Sequence, residues 1–350
     1  MVNKRVLVVG SAEQSGGGVS SVIKLMKKMP VWQEYHCYWL GTQIQRNFAW
    51  KLLYALKSYF VALIIIWRYD IVHFHTTPDT SGLVIQLPIL LLAKLGCKKV
   101  LMHLHVGNQL EREKEKRNKI FHWYMKKSDV IVLLAHTFEK TLKKYYKEIT
   151  TPTVVIYNPC DYVNPIPYQN HERTILFAGA FSRNKAVDVL IDAFSIVQKK
   201  YPDWRLQLLG SGPEEQLIRK RIKDYHLDKN VEMPGYITGK TKIEYFQKAG
   251  IYAMCSYLEG LPMVVIESWS YGVPVVSTPV GGLTELLLEE SNCLSFSFGS
   301  VDELVKKLDL LMGDYELREK ISAFSIDFAE QHFSLNVIDK QLQYLYHNLI

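Results

Sequence analysis

The chain has 350 residues, 48% hydrophobic and 22% charged, which is the composition of a folded globular protein with room for two ordinary domains, not of a disordered chain. Its five cysteines (Cys37, Cys97, Cys160, Cys255 and Cys293) stand far apart with no C-x-x-C spacing, which argues against a zinc cluster and for a reducing compartment. The net charge of +7 is uneven: residues 1–160 hold 23 Lys and Arg against 10 Asp and Glu, and the rest hold 19 against 25.

In chain order, residues 5–10 read as a first strand, and Gly16, Gly17 and Gly18 open a helix running through Lys28. A strand, a glycine-rich loop and a helix can cradle phosphate with backbone N–H groups, though the spacing is not G-x-G-x-x-G and a flexible surface turn fits as well. Residues 1–10 carry Lys4 and Arg5 with no cleavage site after them, so no signal peptide is expected. A strand at 35–40 precedes the longest apolar stretch, residues 52–67. Lys57 interrupts that stretch and it falls short of the roughly 20 residues a span needs, so a core helix is expected. Strands at 70–75, 99–105, 129–134 and 153–157 then alternate with helices at 83–95 and 137–147, the βαβ rhythm of a doubly wound parallel sheet.

The pairs His73/His75 and His103/His105 each lie on one face near the carboxyl end of a strand, where ligands bind in such sheets. A metal site would need a further ligand; hydrogen-bonded histidines in a cleft wall are the plainer reading. Residues 111–119 mix both signs of charge and suit a solvated helix face. Lys140, Lys143, Lys144 and Lys147, opposite Phe138, Leu142 and Tyr146, form an amphipathic basic face for an anionic membrane surface. Nothing has the aromatic–basic interleaving of a nucleic-acid module, so no nucleic acid is expected.

Pro152, Pro159, Pro165 and Pro167 cluster as in a linker, and a second alternation starts at 174–179. The domains are expected at 1–165, with 335–350 returning to it, and at 166–334. Arg183 and Lys185 sit on a strand-to-helix loop, where two cations can hold a diphosphate. A strand at 204–210 and a short one at 231–235, followed by Tyr236 and Ile237, lead to the apolar run 251–255. Then comes Glu259-Gly260-Leu261-Pro262-Met263-Val264-Val265-Ile266-Glu267, running on to Gly272-Val273-Pro274-Val275-Val276. Pro262 fits a first helical position and Gly272 the residue just past the helix end. Glu259 is thereby expected on a loop facing a ligand crevice and Glu267 on the second turn of the helix. Carboxylates accept paired hydroxyls, and a helix start suits an anion, so together they describe a sugar-nucleotide site. A solvated Glu259 and a Glu267 held in a salt-bridge network remain the plain alternative. Helices fill most of 301–350.

The stretch EGLPMVVIE followed by SWSYGVPVVSTPVGGLTE resembles the signature of glycosyltransferase family 4, the retaining GT-B glycosyltransferases, down to Gly281, Gly282 and Glu285. The likeness spans essentially the whole chain, strongest over 174–285. It implies two Rossmann-like domains facing a cleft and transfer of a hexose from a nucleotide diphosphate sugar, UDP first and GDP second, to a glycan or lipid-linked acceptor in surface polysaccharide biosynthesis. A cytoplasmic enzyme, peripheral on the inner membrane face, would follow. The resemblance implies roles for Glu259 and His105 on the donor sugar, for Lys185 on the diphosphate and for Glu267 on the ribose. Gly17 and Gly18 would lie against the phosphates, Gly260, Leu261, Pro262, Met263 and Val264 at the helix start, and Tyr236 and Ile237 by the base. The chain departs from the pattern at Ala180, where Arg is usual, at Ala186, where Gly is usual, and at Pro159 in the inter-domain turn; Arg183 is expected to supply the missing charge. No metal or other cofactor is implied, since no Asp-x-Asp occurs. A glycosidase acid–nucleophile pair, a sugar-nucleotide epimerase and a non-catalytic sugar-nucleotide binder remain open. A nicotinamide dehydrogenase is disfavoured by the missing G-x-G-x-x-G.

Overall fold

A computed structural model describes residues 4–44, 48–105, 110, 118–161 and 165–349. Expectations for Val106, Gly107 and residues 111–117 lie outside the described residues. The chain divides into two compact units, 1–159 with 333–350, and 160–332.

The first unit holds a six-stranded parallel sheet in the order β2-β1-β3-β4-β5-β6. Its strands are β1 Val6–Ser11, β2 Tyr38–Gln43, β3 Ile71–Thr76, β4 Lys99–Leu104, β5 Val130–Leu133 and β6 Thr153–Val155. Val6 to Val9 and Val130 to Leu133 are buried without alternation, as strands covered on both faces must be. The helices are α1 Gly18–Met26, α2 Pro30–Glu34, α3 Phe48–Ile65, α4 Thr80–Leu95, α5 Lys119–Lys127, α6 His136–Tyr145 and, from the far end of the chain, α13 Leu335–Asn348. The closing helix is pinned to this unit: Val31 N donates to Asp339 Oδ1 at 2.8 Å, and the Tyr346 hydroxyl meets His73 Nδ1 at 2.7 Å.

Three expectations change here. The helix foreseen through Lys28 stops at Met26, because Pro30 takes the first position of a new helix; the turn at His36, with φ of 42°, then delays β2 to Tyr38. On α6, Phe138 and Leu142 are buried, and so is Tyr146 just beyond, which leaves Lys140, Lys143, Lys144 and Lys147 as the solvated side. The apolar face is spent on the domain interior and is not available to a membrane. Nor is α3 a core helix: only 22% of the apolar run Ala49–Arg68 is buried.

The second unit repeats the architecture in the order β12-β11-β10-β7-β8-β9, again all parallel. It comprises β7 Thr174–Ala178, β8 Arg205–Leu209, β9 Val231–Gly235, β10 Ile251–Met254, β11 Val275–Ser277 and β12 Cys293–Ser295. Between them run α7 Val187–Val197, α8 Glu215–Asp224, α9 Gly239–Lys248, α10 Met263–Ser270 and α11 Val301–Gly313, with α12 Tyr315–Phe333 carrying the chain back to the first unit. Phe177, Leu190, Phe194, Leu206, Ile251 and Leu308 are among its fully buried core.

In each sheet the winding reverses once. The reversal falls between β1 and β3 in the first unit and between β7 and β10 in the second. At such a point two neighbouring strands send their following loops in opposite directions and leave a crevice at their carboxyl ends.

Candidate functional site

The reversal point of the second sheet explains how residues 74 positions apart come into contact. Lys185 lies on the loop after β7 and Glu259 on the loop after β10, and Lys185 Nζ meets Glu259 Oε1 at 2.5 Å. Both side chains are mostly sheltered, at 20% and 13% exposed. Asn184 stitches the loops together: its Nδ2 donates to Leu258 O at 2.8 Å and its carbonyl accepts from Tyr257 N at 2.8 Å. Sequence reading passed over this residue, since nothing in the spacing of Asn184 pointed to a partner so distant in the chain. Lys185 ends a single 3₁₀ turn, Arg183–Lys185, and Ala186 then turns into α7 with φ of 44°. That left-handed region is costly for a residue with a Cβ, which accounts for the glycine usual there in the resembled pattern.

The second carboxylate is also paired. Glu267, on α10, accepts from Lys242 Nζ at 2.6 Å. Lys242 stands on α9, on the other side of β10 in sequence, and no motif announced it. Burial raises the Tyr252 hydroxyl well above its ordinary value, and the charges of Glu259 and Glu267 raise it further. Each carboxylate is neutralised by one lysine, which avoids the cost of a sheltered unpaired charge.

Gly281 fixes the Glu259 loop from behind. A Cβ at this position would lie 2.2 Å from Glu259 O and 2.3 Å from Gly260 O, and its φ is 57°. Gly282 N donates to Gly260 O at 2.8 Å, and the Thr278 hydroxyl donates to Ser256 O at 2.6 Å. The double glycine therefore acts by letting two backbones touch. Pro262 is the N-cap of α10 and not its first helical residue as read from the sequence; its ψ of 116° lies outside the helical region. The cap carries no side-chain hydrogen bond, so the first N–H groups of α10, Met263 and Val264 among them, have no capping side chain. Leu261 is buried beside them. Tyr236, at 67% exposure, and Ile237 follow the β9 end, where Gly235 has φ of 87°.

Arg183 is not brought to this cluster. Its side chain is 93% exposed and lies 3.8 Å from Glu214. The 3₁₀ turn points residues two apart in different directions, which the sequence spacing alone did not reveal.

In the first unit, Gly17 caps α1 with φ of 112° and no side-chain cap, and a Cβ on Gly17 or Gly18 would meet open space. Next to that reversal point four histidines stack. The His73 and His103 rings are 5.4 Å apart and within 5° of parallel, and His103 and His105 are 4.7 Å apart. His75 Nδ1 meets His105 Nε2 at 2.8 Å, and His105 N donates to Thr76 O. Burial drives His73 and His105 down to about 3, and His75 and His103 well below the ordinary value, so the stack is neutral at physiological pH. His73, His75 and His103 are wholly enclosed, while His105 is half-buried as a residue. His73, His75 and His103 each offer a nitrogen within 4.8 Å of the others, the donor type transition metals take.

Residues 164–327 match the family model described as glycosyl transferases group 1. An uncharacterized glycosyltransferase of Haemophilus influenzae is 28% identical over 304 residues, 83% of this chain and 82% of that protein. The amylovoran biosynthesis glycosyltransferase AmsD of Erwinia amylovora is 27% identical over 157 residues, 44% of this chain and 43% of its own length. Among solved structures, Anabaena Alr3699/HepE in complex with UDP and glucose superposes with a TM-score of 0.76 at 18% identity, covering 99% of this chain and 100% of that one. Sucrose-phosphate synthase from Thermosynechococcus elongatus reaches 0.82 at 16% identity over 99% of both. The fold is that of the two-domain GT-B glycosyltransferases. The family match and the glycosyltransferase relatives support assignment of the chain as a glycosyltransferase.

Proposed function

We propose that this glycosyltransferase moves a hexose from a nucleotide diphosphate sugar to a hydroxyl of a glycan or lipid-linked glycan, with retained configuration, in the building of a surface polysaccharide. The observation that carries the donor class is the pair of lysine–carboxylate contacts, Lys185–Glu259 on the loops after β7 and β10 and Lys242–Glu267 between α9 and α10, beside a helix start with no capping side chain. A diphosphate sugar presents charge and vicinal hydroxyls together, and these groups answer both. Lys185 exchanges Glu259 for a phosphate oxygen; Glu259 is released to accept from sugar hydroxyls and to stabilise positive charge at the anomeric carbon. The first N–H groups of α10 add donors and a positive dipole end to the diphosphate. Glu267 takes the ribose hydroxyls, Tyr236 and Ile237 the base, and Gly17 and Gly18 give a phosphate unhindered backbone. His105 is assigned a hydroxyl of the transferred sugar. In the step itself the bond from the anomeric carbon to the diphosphate oxygen breaks, and that oxygen leaves with the electron pair. The acceptor oxygen forms the new bond from the same face, and its proton passes to the departing diphosphate oxygen.

UDP-sugar is the first candidate donor and GDP-sugar the second. HepE is solved with UDP-glucose, and a Campylobacter jejuni relative, 24% identical over 184 residues, is named for transfer onto an undecaprenol-linked glycan. The test is a thermal-shift panel of UDP- and GDP-sugars followed by mass analysis of products with and without acceptor. A rise in melting temperature with one base and mass gain on an acceptor support the reading. No shift with any member, or an epimerised sugar formed without acceptor, would overturn it.

A further inference from the structure

α3 is built inside out. Its inner line, carried on into the 3₁₀ turn Ile66–Arg68 that follows it, is Ala55, Ser58, Ala62 and Ile66, all buried, at three- and four-residue steps. The opposite side carries Leu53, Leu56, Phe60, Leu63, Ile64 and Trp67, each about half exposed or more, with Phe60 at 67%. A helix serving only a water-soluble domain places these residue sizes the other way round. Small residues seat it instead: the Ser58 hydroxyl donates to Gly41 O at 2.6 Å, and the Tyr59 hydroxyl donates to Ile85 O at 2.8 Å on α4. α4 extends the same surface with Val84, Leu91 and Leu95, the last 74% exposed. Together these side chains expose far more apolar surface than scattered leucines would make.

Charge selects the occupant. No Asp or Glu occurs between Glu34 and Asp70, nor within α4. Exposed Lys57 and Arg68 fall on the border of the apolar stripe, in line with Trp50 and Ile64. Trp50 and Trp67 stand near the two ends, the residue favoured at the boundary of lipid and water. Although Ala49–Arg68 is long and apolar enough to span a bilayer, its inner face is docked on β2 and α4, so it lies flat.

We propose that α3 and α4 form the face by which this protein lies on an anionic lipid bilayer, with Leu53, Leu56, Phe60, Leu63 and Trp67 entering the acyl boundary and Lys57 and Arg68 meeting lipid phosphates. It deepens the lipid-linked acceptor reading by saying which surface approaches that acceptor. Its test uses neither donor nor acceptor, so the two can fail separately.

The full chain is sedimented with phosphatidylcholine vesicles containing phosphatidylglycerol, and with phosphatidylcholine alone. The expected result is co-sedimentation with the anionic vesicles, about tenfold weaker with the neutral ones or with Lys57→Glu/Arg68→Glu. Leu56→Glu/Phe60→Glu abolishes pelleting while the melting temperature is kept, because both side chains already face solvent; Leu56→Ser/Phe60→Ser repeats the test more gently. Wild-type protein left in the supernatant with both vesicles overturns the proposal. So does undiminished pelleting of the double variants, or a wild-type dimer that these variants convert to monomer, which would assign the face to a second copy. Retention after alkaline carbonate extraction would overturn the surface-lying geometry in favour of a span.

Discussion

Acidification is expected to unfold the first unit through its histidine stack. His73, His75 and His103 are neutral in the fold because burial keeps charge out, with His73 held at about 3. In the unfolded chain each titrates near its ordinary value of about 6.5. Their folded values are depressed, so the unfolded state binds more protons below that point. The stability they permit is fully present above about pH 6.5 and is lost as pH falls toward 3. At about pH 5, roughly 1.5 units below the unfolded value, His73 and His105, both held at about 3, each cost about 2 kcal/mol at 1.36 kcal/mol per unit, and His75 and His103 add in the same direction. Two rings alone are a large share of the whole stability of an ordinary domain, about 5–15 kcal/mol. The assay is calorimetric unfolding in buffers of different ionisation enthalpy, which counts protons taken up without requiring a two-state transition. Unfolding near pH 5 should take up about one more proton for each ring of the stack than near pH 7.5. His103→Leu should remove about one of them and blunt the acid sensitivity. Both ring nitrogens of His103 have no partner among the described residues, so the substitution leaves no broken hydrogen bond behind. Equal proton uptake in wild type and His103→Leu would refute the reasoning.

Lys185→Ala should lower kcat by about 10²–10³-fold, the usual effect of removing one pre-placed group that stabilises developing charge, while Arg183→Ala should stay within about 0.5 kcal/mol of wild type in kcat/KM. Steady-state transfer assays read both. Glu267→Gln should raise KM for the donor about 10- to 100-fold with a smaller change in kcat, the loss of charge-assisted bonds worth about 1.5–3 kcal/mol. Gly281→Ala should destabilise the second unit by about 2–6 kcal/mol, combining left-handed backbone strain with a methyl driven into two carbonyl oxygens. Denaturant unfolding checks it, and a change under about 0.5 kcal/mol would show that the loop relaxes freely.

Local order was largely written in the chain. Runs such as Val6 to Val9 can only be strands covered on both faces, and their regular alternation with helices leaves few topologies besides a doubly wound parallel sheet. Gly281 beside Gly282 marked a close backbone approach, and the Glu259–Glu267 spacing placed one carboxylate on a loop and the other on a helix. What only the tertiary structure decided was contact between distant segments: strand order brought Lys185 to Glu259 and Lys242 to Glu267, and the return of the closing helix brought Tyr346 to His73. Periodicity reports which residues share a face but not what that face meets, so an apolar helix reads alike whether its large side chains go inward or outward. That is why α6 looked like a membrane face and turned its apolar side to the domain interior, while α3 looked like core and put its leucines, phenylalanine and tryptophans outside.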